Sequence, residues 1–186
     1  MNTLPATKLL FLDTNALVKR FVDEPGHDVI MWLFSNNAVL EFSVHLMTST
    51  NVRDEFGRTI AKMVAGRQIS EGEARGVMAR SRGYIGLENS GLRIVDTGPL
   101  PGFQRGDDTS LEELIKKHDL HECDRTDCAI MTSIVNYLRC FGGGSLPHVV
   151  TSDKDFSKVV KREGFGKINP EKITIDELKE YLISLG

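Results

Sequence analysis

The chain has 186 residues, 40% of them hydrophobic and 26% charged, with a formal net charge of -3. That length allows one domain that buries about 70% of its unfolded surface without disulfide or metal staples, and the composition excludes disordered and fibrous classes. The slight acidity excludes coating of nucleic acid by bulk charge, although a set of site carboxylates would mask a local basic rim.

The cysteines Cys123, Cys128 and Cys140 are odd in number and form no CxxC pair, which fits a reducing, cytoplasmic setting. No apolar run approaches membrane-spanning length and no charged start precedes a long apolar stretch, so no membrane association or export is expected.

In chain order, Leu9-Leu10-Phe11-Leu12 reads as a buried strand that ends abruptly in Asp13-Thr14-Asn15. Thr14 or Asn15 is then placed to cap a short helix carrying Ala16, Leu17 and Phe21, stopped by Pro25-Gly26. A second helix is expected over about His27 to Phe34, and a strand over Val39 to Val44. Ser49 or Thr50 caps a longer helix in which Val52, Phe56, Ile60 and Met63 recur at helical spacing.

Ser70 with Glu73 is a capping box for a helix running to about Ile85, and Leu92 to Val95 is the third strand. Residues 97–108, rich in Pro and Gly, form a loop suited to a lid or a partner contact, and Thr109 with Glu112 repeats the capping device. Asp124 opens a long helix through Ile130, Ile134 and Leu138, closed by Gly142-Gly143-Gly144, before a fourth strand at His148 to Thr151. Asp155 to Glu163 is helical, and Thr174 with Glu177 caps a C-terminal helix. Strands alternating with helices imply an α/β domain with a parallel sheet and right-handed crossovers, a single unit over 1–186 with a helical insertion at about 66–90.

The acids fall where such sheets bind ligands, at the carboxyl ends of strands. Asp13 follows the first strand as Asp153 and Asp155 follow the fourth. Asn51 and Glu55 share one helix face, and Asp124 and Asp127 lie three apart across the first turn of theirs. Converging carboxylates repel: at an effective dielectric near 20, each ionised pair about 4 Å apart costs roughly 4 kcal/mol. A divalent cation relieves this, and oxygen ligands without His or thiolate suit Mg²⁺ or Mn²⁺. Such an ion activates water and neutralises charge on a phosphate, which is phosphodiester hydrolysis chemistry.

Plainer roles compete at each position. Asp124 or Asp127 serves as an N-cap with an acidic third position, Glu55 as a solvated partner of Arg58, and Asp153 or Asp155 as a turn former. Asp13 is the hardest to explain away, because an acid ending a buried strand needs partners. His118, His121 and Cys123 match no common zinc spacing, and no GxGxxG after a strand, GxxxxGK[ST] or GxSxG motif is present.

Four fragments in order, FLDTNALVKRF at 11–21, TNVRDEF at 50–56, DCAIMTSI at 127–134 and VTSDKDF at 150–156, resemble the motifs of the PIN-domain family, the metal-dependent ribonucleases that include VapC-like toxins. The resemblance implies a three-layer α/β/α fold with a central parallel sheet. It implies Asp13, Glu55, Asp127 and Asp153 as the catalytic acids around one or two Mg²⁺ or Mn²⁺ ions, with Asp124 and Asp155 as auxiliary ligands. Thr14, Asn15, Thr151 and Ser152 resemble the residues that position the acids or contact phosphate. Asn51 competes with Glu55 for the second position, and Glu55 is preferred because a carboxylate binds a hard cation better than an amide.

The resulting expectation is an endoribonuclease acting on RNA, with Arg20, Arg53, Arg125 and Lys154 beside the motifs to receive the backbone. As a toxin of a toxin–antitoxin pair, it is implied by the resemblance to have a cognate antitoxin and to form a homodimer. A non-catalytic RNA- or protein-binding module on the same fold is the alternative. An aspartyl-phosphate phosphatase ranks last, because the residue two beyond Asp13 is Asn15.

Overall fold

A computed structural model describes residues 8–36, 44–84, 92–95, 125–141 and 146–185. Five strands, β1 (Lys8–Leu12), β2 (Val44–Ser49), β3 (Leu92–Val95), β4 (His148–Val150) and β5 (Gly166–Ile168), form one sheet in the order β3-β2-β1-β4-β5. Every pairing is parallel, with Leu10 opposite both Leu46 and His148.

The central strand carries Leu10, Phe11 and Leu12, none more than 2% exposed. Burial on both faces is the reason β1 reads as a continuous apolar run instead of an alternating one.

Seven helices are described: α1 (Thr14–Val18), α2 (His27–Asn36), α3 (Thr50–Ala65), α4 (Glu71–Tyr84), α5 (Arg125–Phe141), α6 (Lys154–Arg162) and α7 (Ile175–Ser184). α3 contacts α1, α4 and α5, while α2 contacts α7, which gives the helical layers of a three-layer α/β/α fold. Val52, Phe56 and Ile60 supply the buried face of α3, and the Phe56 ring meets Phe21 edge-on at 5.6 Å. Met131 and Ile134 do the same for α5, and Phe11 meets Tyr137 at 5.8 Å. Each such side chain contributes about 1.5–3 kcal/mol when fully buried. Among the described residues no helix is long and apolar enough to cross a membrane.

Several boundaries differ from the expected ones. Of the strand expected at Val39 to Val44, only Val44 is described, and it opens β2 instead of closing a strand. β2 lies beside β1 with Lys8 opposite Val44 and Phe11 opposite Met47, and its polar end, Thr48-Ser49, runs directly into the cap of α3. α1 ends at Val18, well before Pro25, because the next turn tightens: Arg20 N–H donates to the Leu17 carbonyl and Phe21 N–H to that of Val18. Its cap is Asp13 and not Thr14 or Asn15.

β5 was not expected at all. The Ser70–Glu73 and Thr174–Glu177 capping boxes are both formed. The loop at 97–108, the Thr109–Glu112 pair, Asp124 and Gly142 to Gly144 lie outside the described residues.

Candidate functional site

The strand order reverses between β1 and β4, whose carboxyl ends therefore flank the crevice in which open α/β sheets bind ligands. Asp13 stands there directly after β1. It continues the ladder by donating its N–H to the Val150 carbonyl at 3.2 Å. Its side chain caps α1, with Oδ1 accepting from Ala16 N–H at 2.6 Å. Oδ2 accepts from the Thr151 hydroxyl, and the residue is only 3% exposed.

Thr151 in turn accepts the Asp153 N–H on its hydroxyl oxygen at 3.0 Å. Asp153 caps α6: Oδ1 accepts from Asp155 N–H at 2.7 Å and from Phe156 N–H at 2.8 Å. The third acid comes from α3, where Glu55 Oε2 accepts from the hydroxyl of Thr14, the residue that follows Asp13. Asn51, one turn earlier, is directed elsewhere: its amide reaches Ser133 on α5 at 3.5 Å. Of these two, Glu55 is the residue whose charge adds to the shift of Asp13.

Burial drives the Asp13 carboxyl from 3.8 up to about 7; the Thr151 and Ala16 hydrogen bonds oppose the rise, and the charges of Asp153 and Glu55 add to it. Carboxylates from two other elements therefore act on the buried Asp13. None of the three forms an ion pair among the described residues.

Asp155 is exposed and paired with Lys158 at 2.7 Å, which holds its carboxyl below the usual range, so it stands apart from the cluster. Asp127 is half-buried in the first turn of α5. Ser152 is directed toward Glu171 and Asn15 lines the adjoining cavity. Of the basic residues, Lys154 lines that cavity, Arg53 pairs with Asp54 at 3.0 Å and Arg20 lies over the Phe34 ring; the Arg125 side chain lies outside the described residues.

Among the described residues, no three His, Cys, Asp or Glu side chains are already gathered as a metal-binding group. The chemistry of Asp13, Glu55 and Asp153 nonetheless fits a hard divalent cation. All the donors are oxygen, and the charges of Asp153 and Glu55 add to the upward shift that burial imposes on Asp13.

Beside the acids lies a polar cavity of about 450 Å³, lined by Asn15, Lys19, Glu24, Ser152, Asp153, Lys154, Asp155 and Glu171. Sequence reading missed Lys19, Glu24 and Glu171. The Lys19 ammonium is buried between the two glutamates, at 3.0 Å from Glu24 and 2.8 Å from Glu171. The only local signal is that Lys19 directly follows the apolar residues Ala16, Leu17 and Val18, since its second partner, Glu171, is distant in sequence. The chain matches no protein-family model and no curated protein.

Proposed function

We propose that this chain is a divalent-cation-dependent endoribonuclease of the PIN type, hydrolysing RNA phosphodiester bonds at the Asp13–Glu55–Asp153 cluster. The observation that carries this reading is the convergence of three like charges at the sheet's topological switch, with the buried Asp13 carboxyl raised to about 7. A bound Mg²⁺ or Mn²⁺ would supply a more acidic water and neutralise charge growing on the phosphate.

The chain's own groups divide the remaining tasks. Thr151 and Ala16 fix the Asp13 carboxylate in one rotamer, and Thr14 fixes that of Glu55. Asp153 is immobilised as the α6 cap. Lys154 and Asn15, on the wall of the polar cavity, are placed to receive the phosphate backbone. Water adds to phosphorus, the P–O bond to the leaving 3′-oxygen breaks, and that oxygen takes a proton, leaving 3′-hydroxyl and 5′-phosphate ends as the PIN resemblance implies.

A toxin role would add an antitoxin that covers the acids, and a homodimer; both belong to this proposal. The competing reading is a non-catalytic RNA- or protein-binding module, favoured by Asn51, an amide at the position that competes with Glu55 for the second acid, which bonds Ser133 instead.

The test is a titration of Mg²⁺ and Mn²⁺ into wild type and Asp13→Asn, assaying cleavage of a pool of structured and single-stranded RNA. Cation-dependent cutting that disappears in the variant supports the nuclease. Folded, partner-free wild type that neither cuts nor responds to the ions supports the binding module.

A further inference from the structure

We propose that Lys19 is a positioning residue: clamped between Glu24 and Glu171, its buried ammonium fixes the Thr151-Ser152-Asp153 turn against Asp13, a role whose catalytic meaning rests on the nuclease reading above. Two segments distant in sequence meet at this ammonium. Glu24 belongs to the turn after α1, and Glu171 to the turn after β5. The side chain of Lys19 is 3% exposed, so each carboxylate offsets desolvation that a single partner would leave uncompensated. Burial alone would depress the lysine, but the hydrogen bonds and charges of Glu171 and Glu24 outweigh it and hold the ammonium protonated.

The two turns also touch through backbone. Gly26 has φ +87°, and a Cβ there would come within 2.7 Å of the Pro170 carbonyl group, so only glycine allows the approach. The β5 segment in turn meets the β4–α6 connection: the Ile168 carbonyl accepts from Thr151 N–H at 2.9 Å, and Glu171, held by Lys19, shares the lining of the polar cavity with Ser152, whose hydroxyl helps keep that carboxyl below its usual range. Thr151 and Asp153 flank that serine, and they are the residues whose hydroxyl and carboxylate act on Asp13. Lys19 does not itself touch the acids. It acts through Glu171 and Ser152, as outer partners orient the ligands of metal sites.

The test uses Lys19→Gln, Glu171→Gln and Lys19→Arg in the full chain, with two readouts. The first is amide hydrogen exchange at Asp153, Asp155 and Phe156, whose N–H groups all donate within this turn; it needs neither cation nor RNA. The second is Mn²⁺ binding, followed by loss of the free-ion paramagnetic signal below the melting temperature of each variant.

The clamp predicts faster exchange at these three amides in both Gln variants while Phe11 and Leu46 keep their protection. It also predicts Mn²⁺ affinity lower by about 10- to 100-fold, with Lys19→Arg recovering most of it. Unchanged exchange at the three amides in a folded Gln variant overturns the proposal. So does Mn²⁺ affinity in that variant equal to that of a wild type that binds the ion. If Lys19→Gln does not fold, Glu171→Gln decides, since Glu171 is 38% exposed and its loss leaves Lys19 paired with Glu24. Faster exchange in a wild-type background that binds no Mn²⁺ upholds the clamp and rejects the nuclease.

Discussion

The Thr151 hydroxyl donates to Asp13 Oδ2 while accepting the Asp153 N–H, so one side chain ties the acid that follows β1 to the acid that caps α6. Thr151 is fully buried, and its removal leaves a carboxylate oxygen and an amide without that partner. Thr151→Val is expected to lower unfolding free energy by about 1–3 kcal/mol, measured by urea denaturation. Thr151→Ser, which keeps the hydroxyl, should recover most of the loss.

Asp13 makes stability depend on pH in an unusual direction for an aspartate. Its folded-state value, about 7, lies above the ordinary 3.8, so the folded protein holds the proton more tightly than the unfolded chain does. The associated stability is fully present below about 3.8 and is lost as pH rises through about 7, a span worth roughly 4 kcal/mol in the limit. Asp13→Asn should therefore melt at a higher temperature than wild type at pH 8 without divalent ions. Equal or lower melting of the variant there would contradict the shift.

Cation binding should reverse that ranking. An ion held only by the native state raises its melting temperature, and the effect should be present in wild type and absent in Asp13→Asn. Glu55→Gln keeps an oxygen for the Thr14 hydroxyl but loses the charge; cleavage in it is expected to fall by more than the roughly 10- to 100-fold typical of losing an outer partner. Single-turnover RNA cleavage at saturating Mn²⁺ reads this directly.

His148 opposes Asp13 in its pH dependence. It is buried at the start of β4, edge-on to Tyr181 at 5.5 Å; burial lowers its pKa below 6.5, with the charge of Lys8 a smaller contribution in the same direction. A histidine held neutral by the fold stabilises above 6.5, and that contribution is lost as pH falls through the folded value. Its imidazole should titrate below 6.5 by NMR, and the loss of stability from pH 7 to pH 5 should shrink in His148→Asn.

Gly166 faces that same ring across the β4–β5 ladder, where an added Cβ would overlap the imidazole. Gly166→Ala is expected to destabilise by about 1–3 kcal/mol through overpacking. In the double variant with His148→Ala the two penalties should not add, which a denaturation cycle measures.

Much of this was legible because local chemistry and tertiary role coincide. Leu10-Phe11-Leu12 is apolar throughout because β1 is central, and Ser70–Glu73 and Thr174–Glu177 carry their capping bonds within four residues. β2 was misplaced because Val44 to Ser49 ends in Thr48 and Ser49, polar residues buried by tertiary bonds: the Thr48 hydroxyl finds the Leu12 carbonyl at 3.0 Å, and Ser49 caps α3. β5 is only three residues long and begins with the glycine that His148 requires, so it has no pattern of its own. In the site, the acids were visible as strand ends and caps. Lys19 was not, because its reason for being buried lies 152 residues away in Glu171.

The Thr151–Asp13 bond joins residues 138 apart in the sequence. A nascent or truncated chain ending before β4 carries Asp13 and Glu55 but has neither Thr151 nor Asp153 to complete them. The acidic cluster is therefore incomplete through most of synthesis, and it assembles only once β4 and the turn after it have emerged.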